Sequence, residues 1–411
     1  MTKASYDIYI NTQGTSIQHA ADCVIEEQNG RVQRVGFRYK SDYLQQQSAF
    51  AIDPQHLPLN ASELQLKSSA GLPGFLDDYL PDDWGKKVLT RLAFYQYKQR
   101  LNNHSAIDLL SLMSKRHIGA LCIVPKGEAA SYETGIPLAD LSKAEIAAQQ
   151  IDELQPDHIS FDAMNLLFLA SSGSGVGGAR PKALISDQGK EYIAKFNPSH
   201  SDAFNNARVE LACLKLAKLA GLNVSEGKII SGINGRDVLL IERFDLIEHY
   251  RFHLVSINSL LKNPASQSDH GFNFSYDSIY KILQKFSVNI EKDAEQLLRQ
   301  MLFNRAINNV DDHERNFSLI HYDEGYQLSP AYDLVPMPIR GQYHVAGFQY
   351  SPNPPKPSEI SRFGKVFGLS KPVVAACAEQ VIDAVSQWKE IADETGVNEK
   401  EIDWIETFFN L

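Results

Sequence analysis

The sequence predicts an α+β fold: a two-lobed core, with a β-rich N lobe and an all-helical C lobe, behind an N-terminal β-rich subdomain. Three observations predict it. Near the start, short β-type runs at 6–10, 20–26 and 31–39 are punctuated by Gly14-Thr15 and Asn29-Gly30, the latter a hairpin signal. Between 161 and 245, strand patterns surround one strongly periodic helix. After Asp245 helical periodicity takes over, clearest over 279–286 and 294–304.

Boundaries follow these changes of pattern. Residues 1–125 make the β-rich subdomain, with helical patterns at 86–100 and 107–113 and a closing strand at 118–124. A loop-rich acidic and aromatic stretch, 72–85, interrupts it. The polar segment 126–160, with one helical pattern over 142–154, is the expected connector. The N lobe spans 161–245: a helical run at 161–170, a Gly/Ser loop, and two strands turned by Asp187-Gln188-Gly189. A helix at 207–219 then stops at Gly221, a glycine C-cap, before two further strands. The C lobe is 246–411, with the proline-rich 351–357 as a stiff extended stretch ahead of the last helices.

A chain of 411 residues can hold two or three domains with substantial cores. Its 43% hydrophobic and 22% charged residues are ordinary for a soluble globular protein. A net charge of −10 argues against broad nucleic-acid binding by the chain alone, because neutralising phosphates needs a basic face. Cys23, Cys122, Cys213 and Cys377 are far apart in apolar contexts, so buried free thiols in a reducing compartment are expected. With neither an apolar signal core nor a membrane-length run, the cytoplasm is the expected location.

The most specific motif is Asn308-Asn309-Val310-Asp311-Asp312-His313-Glu314-Arg315-Asn316, with Ala331-Tyr332-Asp333 downstream. An aspartate, an asparagine five positions later and a further aspartate beyond one hairpin is the spacing of a kinase centre. There, Asp311 would receive the acceptor's hydroxyl proton, while Asn316 and Asp333 would hold Mg2+ on ATP. Adjacent side chains point in different directions, so only one of Asp311 and Asp312 can face the substrate, and the spacing to Asn316 selects Asp311. His313 either contacts phosphate or fixes the loop by hydrogen bonding. The strands expected at 317–320 and 326–328 would fold Asp333 back toward Asn316.

Upstream, four glycines in 171–178 let backbone N–H groups approach phosphate, with Arg180 and Lys182 adding positive charge. A flexible linker is the alternative for such a stretch. Lys195, flanked by apolar residues on a strand, suits pairing with nucleotide phosphates, and Glu210 on the following helix would orient it. The strand 239–245 runs into Phe244, which could lie against adenine at an interlobe hinge; a strand end with a structural salt bridge fits as well.

These pieces resemble the HipA-type serine/threonine kinases of bacterial toxin–antitoxin systems. The resemblance rests on Asp78-Tyr79-Leu80-Pro81-Asp82-Asp83-Trp84-Gly85, Gly177-Gly178-Ala179-Arg180-Pro181-Lys182 and Ile241-Glu242-Arg243-Phe244-Asp245. Asp311-Asp312-His313-Glu314-Arg315-Asn316-Phe317-Ser318 and Pro330-Ala331-Tyr332-Asp333-Leu334 complete it. It implies a protein-kinase-like core and an ATP- and Mg2+-dependent kinase that arrests growth, typically by phosphorylating an aminoacyl-tRNA synthetase. A small helix-turn-helix antitoxin (HipB-like) would restrain it on operator DNA. It also implies Gly177, Gly178, Ala179, Arg180 and Lys182 as the phosphate loop, Lys195 as the phosphate lysine, and Glu242 with Phe244 at the adenine hinge. Gly175 stands where such proteins often carry an autophosphorylated serine; Ser174 and Ser172 are the nearest substitutes. The other readings are a small-molecule or lipid kinase on a related fold, and a non-catalytic DNA-bound regulatory partner.

Overall fold

The computed structural model describes residues 1–12, 16–68, 71–113, 115–152, 180–197, 203–247, 250–262 and 274–411. The helix expected at 161–170 and the Gly/Ser loop, with Ser172, Ser174, Gly177, Gly178 and Ala179, lie outside these residues.

The N-terminal strands β1 (Thr2–Thr12), β2 (Ser16–Gln28), β3 (Arg31–Tyr39) and β4 (Leu64–Lys67) form an antiparallel meander. β5 (Leu121–Pro125) pairs with β1 at the far edge, giving the order β4-β3-β2-β1-β5. Asn29 and Gly30 turn β2 into β3 with both φ angles positive (55° and 71°), as a two-residue hairpin turn requires. Val32, Val35, Phe37 and Tyr39 on β3 are buried. Beside this sheet lie α1 (Ser41–Leu44), α2 (Gly74–Tyr79), α3 (Asp83–Tyr97) and α4 (Ala106–Leu112). Asp82 caps α3 by accepting from Gly85 N at 2.8 Å.

The segment read as a connector instead supplies β6 (Ile136–Pro137) and α5 (Leu141–Asp152) to the second sheet. That sheet has the order β6-β7-β8-β10-β9, with β7 (Lys182–Asp187), β8 (Lys190–Phe196), β9 (Gly227–Ile233) and β10 (Arg236–Glu242). Alternate residues of β10 serve two layers, as the period of a strand dictates. Val238 and Leu240 join Trp84, Leu141, Ala144 and Ala148, while Leu239 and Ile241 join Ala207, Leu211 and Leu214 of α6 (Asn206–Leu219). The inward face of α5 is mostly alanine, a weak hydrophobic signal, which is why the segment reads as polar.

The C lobe is not purely helical. After the short pair β11 (Leu246–Ile247) and β12 (Tyr250–Arg251), β13 (His253–Ser256) pairs with the predicted hairpin, β14 (Ser318–Tyr322) and β15 (Gly325–Leu328). All four residues of β13 are buried, so it lacks the alternation by which a half-buried strand is read. The remainder is α7 (Ile257–Leu261), α8 (Tyr276–Phe286), α9 (Ile290–Ala306), α10 (Lys371–Val385), α11 (Trp388–Glu394) and α12 (Glu399–Glu406). The four cysteines are buried and unpaired. Among the described residues no helix is long and apolar enough to cross a membrane.

One apolar core runs from the first sheet into the C lobe, joining Ile8, Phe37, Phe75 and Leu76 with Leu260, Leu297 and Met301. At that seam His253 donates from Nε2 to the Ile52 carbonyl at 2.8 Å, and Phe50 stacks on His321 with ring centroids 3.9 Å apart. Gly74 packs so closely that an added Cβ would stand 2.8 Å from the backbone Cα and O of Ser259. Gly74→Ala should therefore cost about 1–3 kcal/mol by overpacking, read as a lower denaturation midpoint.

Burial depresses His253 and His321 to about 4, with His253 also acting on His321. Both rings are neutral in the fold but protonate near pH 6.5 when unfolded. Their contribution is thus present above pH 6.5 and lost as pH falls toward 4. Asp78, pushed up to about 6 by burial, works in the opposite sense. The comparison is therefore of slopes: stability of His253→Gln should fall less steeply between pH 6.5 and 4 than that of the unaltered chain.

Candidate active site

A narrow cleft with a cavity volume of about 50 Å³ opens between the second sheet and the C lobe, lined by Lys182, Lys195, Glu242, Phe244, Tyr332 and Asp333 among others. Lys195 lies on β8, opposite Lys182 on β7 in the strand register. Its Nζ donates to Glu210 on α6 at 2.6 Å and forms a second ion pair with Asp333. Burial would lower the pKa of Lys195, but Asp333 and Glu210 outweigh it and hold the ammonium above its ordinary range. Burial would likewise raise Asp333; Lys195 reverses that and keeps the carboxylate below its usual range. Glu210 is raised, because its burial outweighs the same lysine.

Asp333 has φ of +55°, a left-handed conformation that aspartate tolerates better than most residues. Asn309 stabilises it, donating from Nδ2 to the Asp333 carbonyl at 3.1 Å. Across the motif, Asn316 donates from Nδ2 to the Asp311 carbonyl at 2.8 Å. Its Oδ1 is buried with no hydrogen-bond partner among the described residues. An oxygen left over in this way fits a hard cation such as Mg2+, which takes oxygen ligands. Asn316 and Asp333 are the residues that would hold it.

Asp311 and Asp312 separate as adjacent residues should. Asp311 is exposed, and burial of part of its carboxyl raises its pKa, with Asp333 and Asp312 adding and His313 and Arg180 opposing. Asp312 is fully buried and accepts from Tyr276 Oη (2.8 Å), His344 Nδ1 (2.9 Å) and Ala346 N (3.1 Å). His313 turns inward on its own loop, accepting at Nδ1 from Arg315 N at 3.2 Å.

The strand 239–245 carries the structural salt bridge and also borders the cleft. Glu242 and Phe244 line the cleft, Glu242 pairing with Lys190 at 2.8 Å and Phe244 stacking on Tyr332 at 6.0 Å. Arg243 and Asp245 form a buried ion pair at 2.6 Å that grips the His117 carbonyl and the Gly119 amide of the N-terminal subdomain.

Sequence reasoning missed the work of the acidic stretch. Asp77 pairs with Arg315 of the motif at 2.6 Å and with Lys262 at 2.9 Å. Asp78 accepts from Ser256 N and Oγ at 2.7 and 2.6 Å. Asp82 pairs with Lys182 of the second sheet at 2.6 Å. Tyr332 was also missed; its hydroxyl donates to the Arg315 carbonyl at 2.9 Å. The run of aspartates before a helix was the available signal, but their partners lie a hundred residues or more away.

A β-rich lobe whose lysine pairs with a helix glutamate, set over a helical lobe carrying Asp311, Asn316 and Asp333, defines the class as a protein kinase. Residues 174–389 match the HipA-like C-terminal domain and residues 23–124 the HipA N-terminal domain. The chain belongs to the HipA family. It is 25% identical over 328 residues to the serine/threonine-protein kinase toxin HipA of Shewanella oneidensis, covering 72% of this chain and 69% of that one. It is 30% identical over 159 residues to the presumed kinase Y4mE of Sinorhizobium fredii, a match that spans 37% of each chain. A solved Shewanella oneidensis complex of HipA, HipB and operator DNA superposes with a TM-score of 0.68 at 20% identity, over 98% of this chain and 94% of that one.

Asp312→Ala would strand the Tyr276 hydroxyl, the His344 ring and the Ala346 amide in the interior. At about 1–3 kcal/mol for each unpaired buried group, the loss should be at least about 3 kcal/mol. Equilibrium unfolding of the variant measures it.

Proposed function

We propose that this chain transfers the γ-phosphoryl group of ATP to a serine or threonine of a protein, as the toxin of a bacterial toxin–antitoxin system. The observation that carries the reading is Lys195 paired at once with Glu210 and Asp333; the Asn316 oxygen, unpaired among the described residues, adds to it. In this reading Lys195, Lys182 and Arg180 hold the triphosphate, together with the backbone of Gly177, Gly178 and Ala179. Glu242 and Phe244 sit at the adenine, and Asp311 orients the acceptor hydroxyl and takes its proton. His313 keeps the loop in shape. Magnesium, held by Asn316 and Asp333, would supply charge neutralisation at the transferring phosphoryl group.

Family membership supports the toxin role, and the Shewanella relative, solved with HipB and operator DNA, supports a small helix-turn-helix antitoxin as partner. An aminoacyl-tRNA synthetase is the proposed substrate, with Ser174 or Ser172 as the self-modification site and the cytoplasm as the place of action. A phosphoserine there would bring roughly −1.5 to −2 charge into the Gly/Ser loop.

The test incubates purified chain with labelled Mg·ATP and total cell extract. A protein acceptor should be labelled, and Asp311→Asn should lower the rate by about 10²–10⁴-fold, the usual worth of a positioned acid–base group. Equal labelling by the variant removes Asp311 from its role. Label confined to lipids or metabolites points to a kinase of another acceptor class. Growth arrest that survives both Asp311→Asn and Asp333→Asn points to a non-catalytic regulator.

A further inference from the structure

The first sheet carries a cluster of ionisable side chains that the kinase reading does not use. Asp7 on β1 stands opposite Asp22 on β2, and a register shift after Ile8 brings Tyr9 opposite His19. One ligand atom each from Asp7, His19 and Asp22 lies within 4.8 Å of the other two. His19 Nε2 is 3.5 Å from Asp7 Oδ1 and 3.3 Å from Asp22 Oδ1.

Those separations are long for charge-assisted hydrogen bonds, which settle at roughly 2.7–2.9 Å. They match a shared cation. Bonds of about 2.0–2.2 Å to imidazole nitrogen and carboxylate oxygen, set tetrahedrally, put neighbouring ligand atoms roughly 3.3–3.5 Å apart. Asp7 is only 5% exposed, yet its Oδ1 has no hydrogen-bond partner among the described residues, and nor has His19 Nε2. A buried carboxylate oxygen is normally paired. Here it is aimed at the imidazole nitrogen and short of bonding distance.

Each side chain is also anchored from behind. Gly127 N donates to Asp7 Oδ2 at 2.8 Å, and Lys40 Nζ reaches Asp22 Oδ2 at 3.1 Å. The His19 ring stacks on Tyr9 with centroids 4.7 Å apart. Such outer contacts fix the orientation of metal ligands and leave the inner atoms convergent. Two carboxylates with a neutral imidazole carry two negative charges, of which Lys40 offsets one.

We propose that Asp7, His19 and Asp22 bind one divalent transition-metal ion of the zinc type, with water as the fourth ligand. A set that includes imidazole favours such an ion over magnesium, which prefers oxygen alone. Bound there, the ion pins the β1–β2 hairpin to the turn that follows β5. The side chains of Asp22 and His19 are 25% and 29% exposed, so an ion can enter from solvent.

The competing arrangement is a protonated His19 shared by two carboxylates, with no metal. Full-length protein, stripped with chelator and free of nucleotide, is titrated with zinc chloride in excess magnesium and read by calorimetry and elemental analysis. One zinc per chain is expected, with affinity weakened at least about 10-fold in Asp7→Asn and His19→Gln and retained in Asp333→Asn. Should the first two variants fail to fold, cobalt(II) bound to the unaltered chain gives a second reading. Tetrahedral coordination yields strong visible bands that saturate at one equivalent and vanish when zinc is added. Equal zinc uptake by a folded His19→Gln, no uptake by the unaltered chain, or a weak octahedral cobalt spectrum would overturn the proposal.

Discussion

The cleft depends on neutralising one largely buried ammonium. Most of the Lys195 side chain is out of water, and an unpaired charge so placed would cost more than the fold can spare. Its two partners come from different places: Glu210 from α6 of the N lobe and Asp333 from the loop beyond β15 of the C lobe. Charge balance at Lys195 therefore requires the lobes to meet. The same demand holds Asp333 in its left-handed conformation, since that geometry presents the carboxylate to the lysine while Asn309 secures the peptide.

Two lobes joined at one lysine can still rock about it. The stretch from the end of α2 to the cap of α3 limits that motion, because within six residues it touches both sides. Asp77 and Asp78 hold Arg315, Lys262 and Ser256 of the C lobe, whereas Asp82 holds Lys182 of the second sheet. Arg243 and Asp245 add a grip on His117 and Gly119. Since Ile8 and Phe75 share a core with Leu297 and Met301, the N-terminal subdomain is a structural part of the core rather than an appendage. Arg315 ties this brace directly to the loop that carries Asp311 and Asn316.

What could be read from the chain divides by range. The Asp311-to-Asn316 spacing, the hairpin to Asp333, the Asn29-Gly30 turn and the α6 helix are local patterns, and the structure contains each of them. The Lys195–Glu210 pair could be anticipated because strand and helix are sequential. Partnerships such as Asp77 with Arg315 carry no local signature; an aspartate that caps, braces or faces solvent looks the same in one dimension. β13 was hidden because burial on both faces erases alternation. α5 was hidden because alanine packs well against a sheet while contributing little to apparent hydrophobicity.

Asp333 in the cleft and Asp311 on the motif loop are pushed in opposite directions, and in the proposed reading that sorts their chemistry. Asp333 is held anionic by Lys195, a state that suits cation binding and leaves it a poor proton acceptor. Among the described residues Asp311 has no ion-pair partner; burial of part of its carboxyl, with Asp333 and Asp312 nearby, makes it the more basic of the two. A carboxylate raised by its surroundings is the better placed to receive a proton. Asp312 is buried and held by three donors, so the adjacent pair resolves into one structural residue and one exposed residue, as the proposed role of Asp311 requires. The roles follow from environment rather than from residue type, since all three side chains are the same acid.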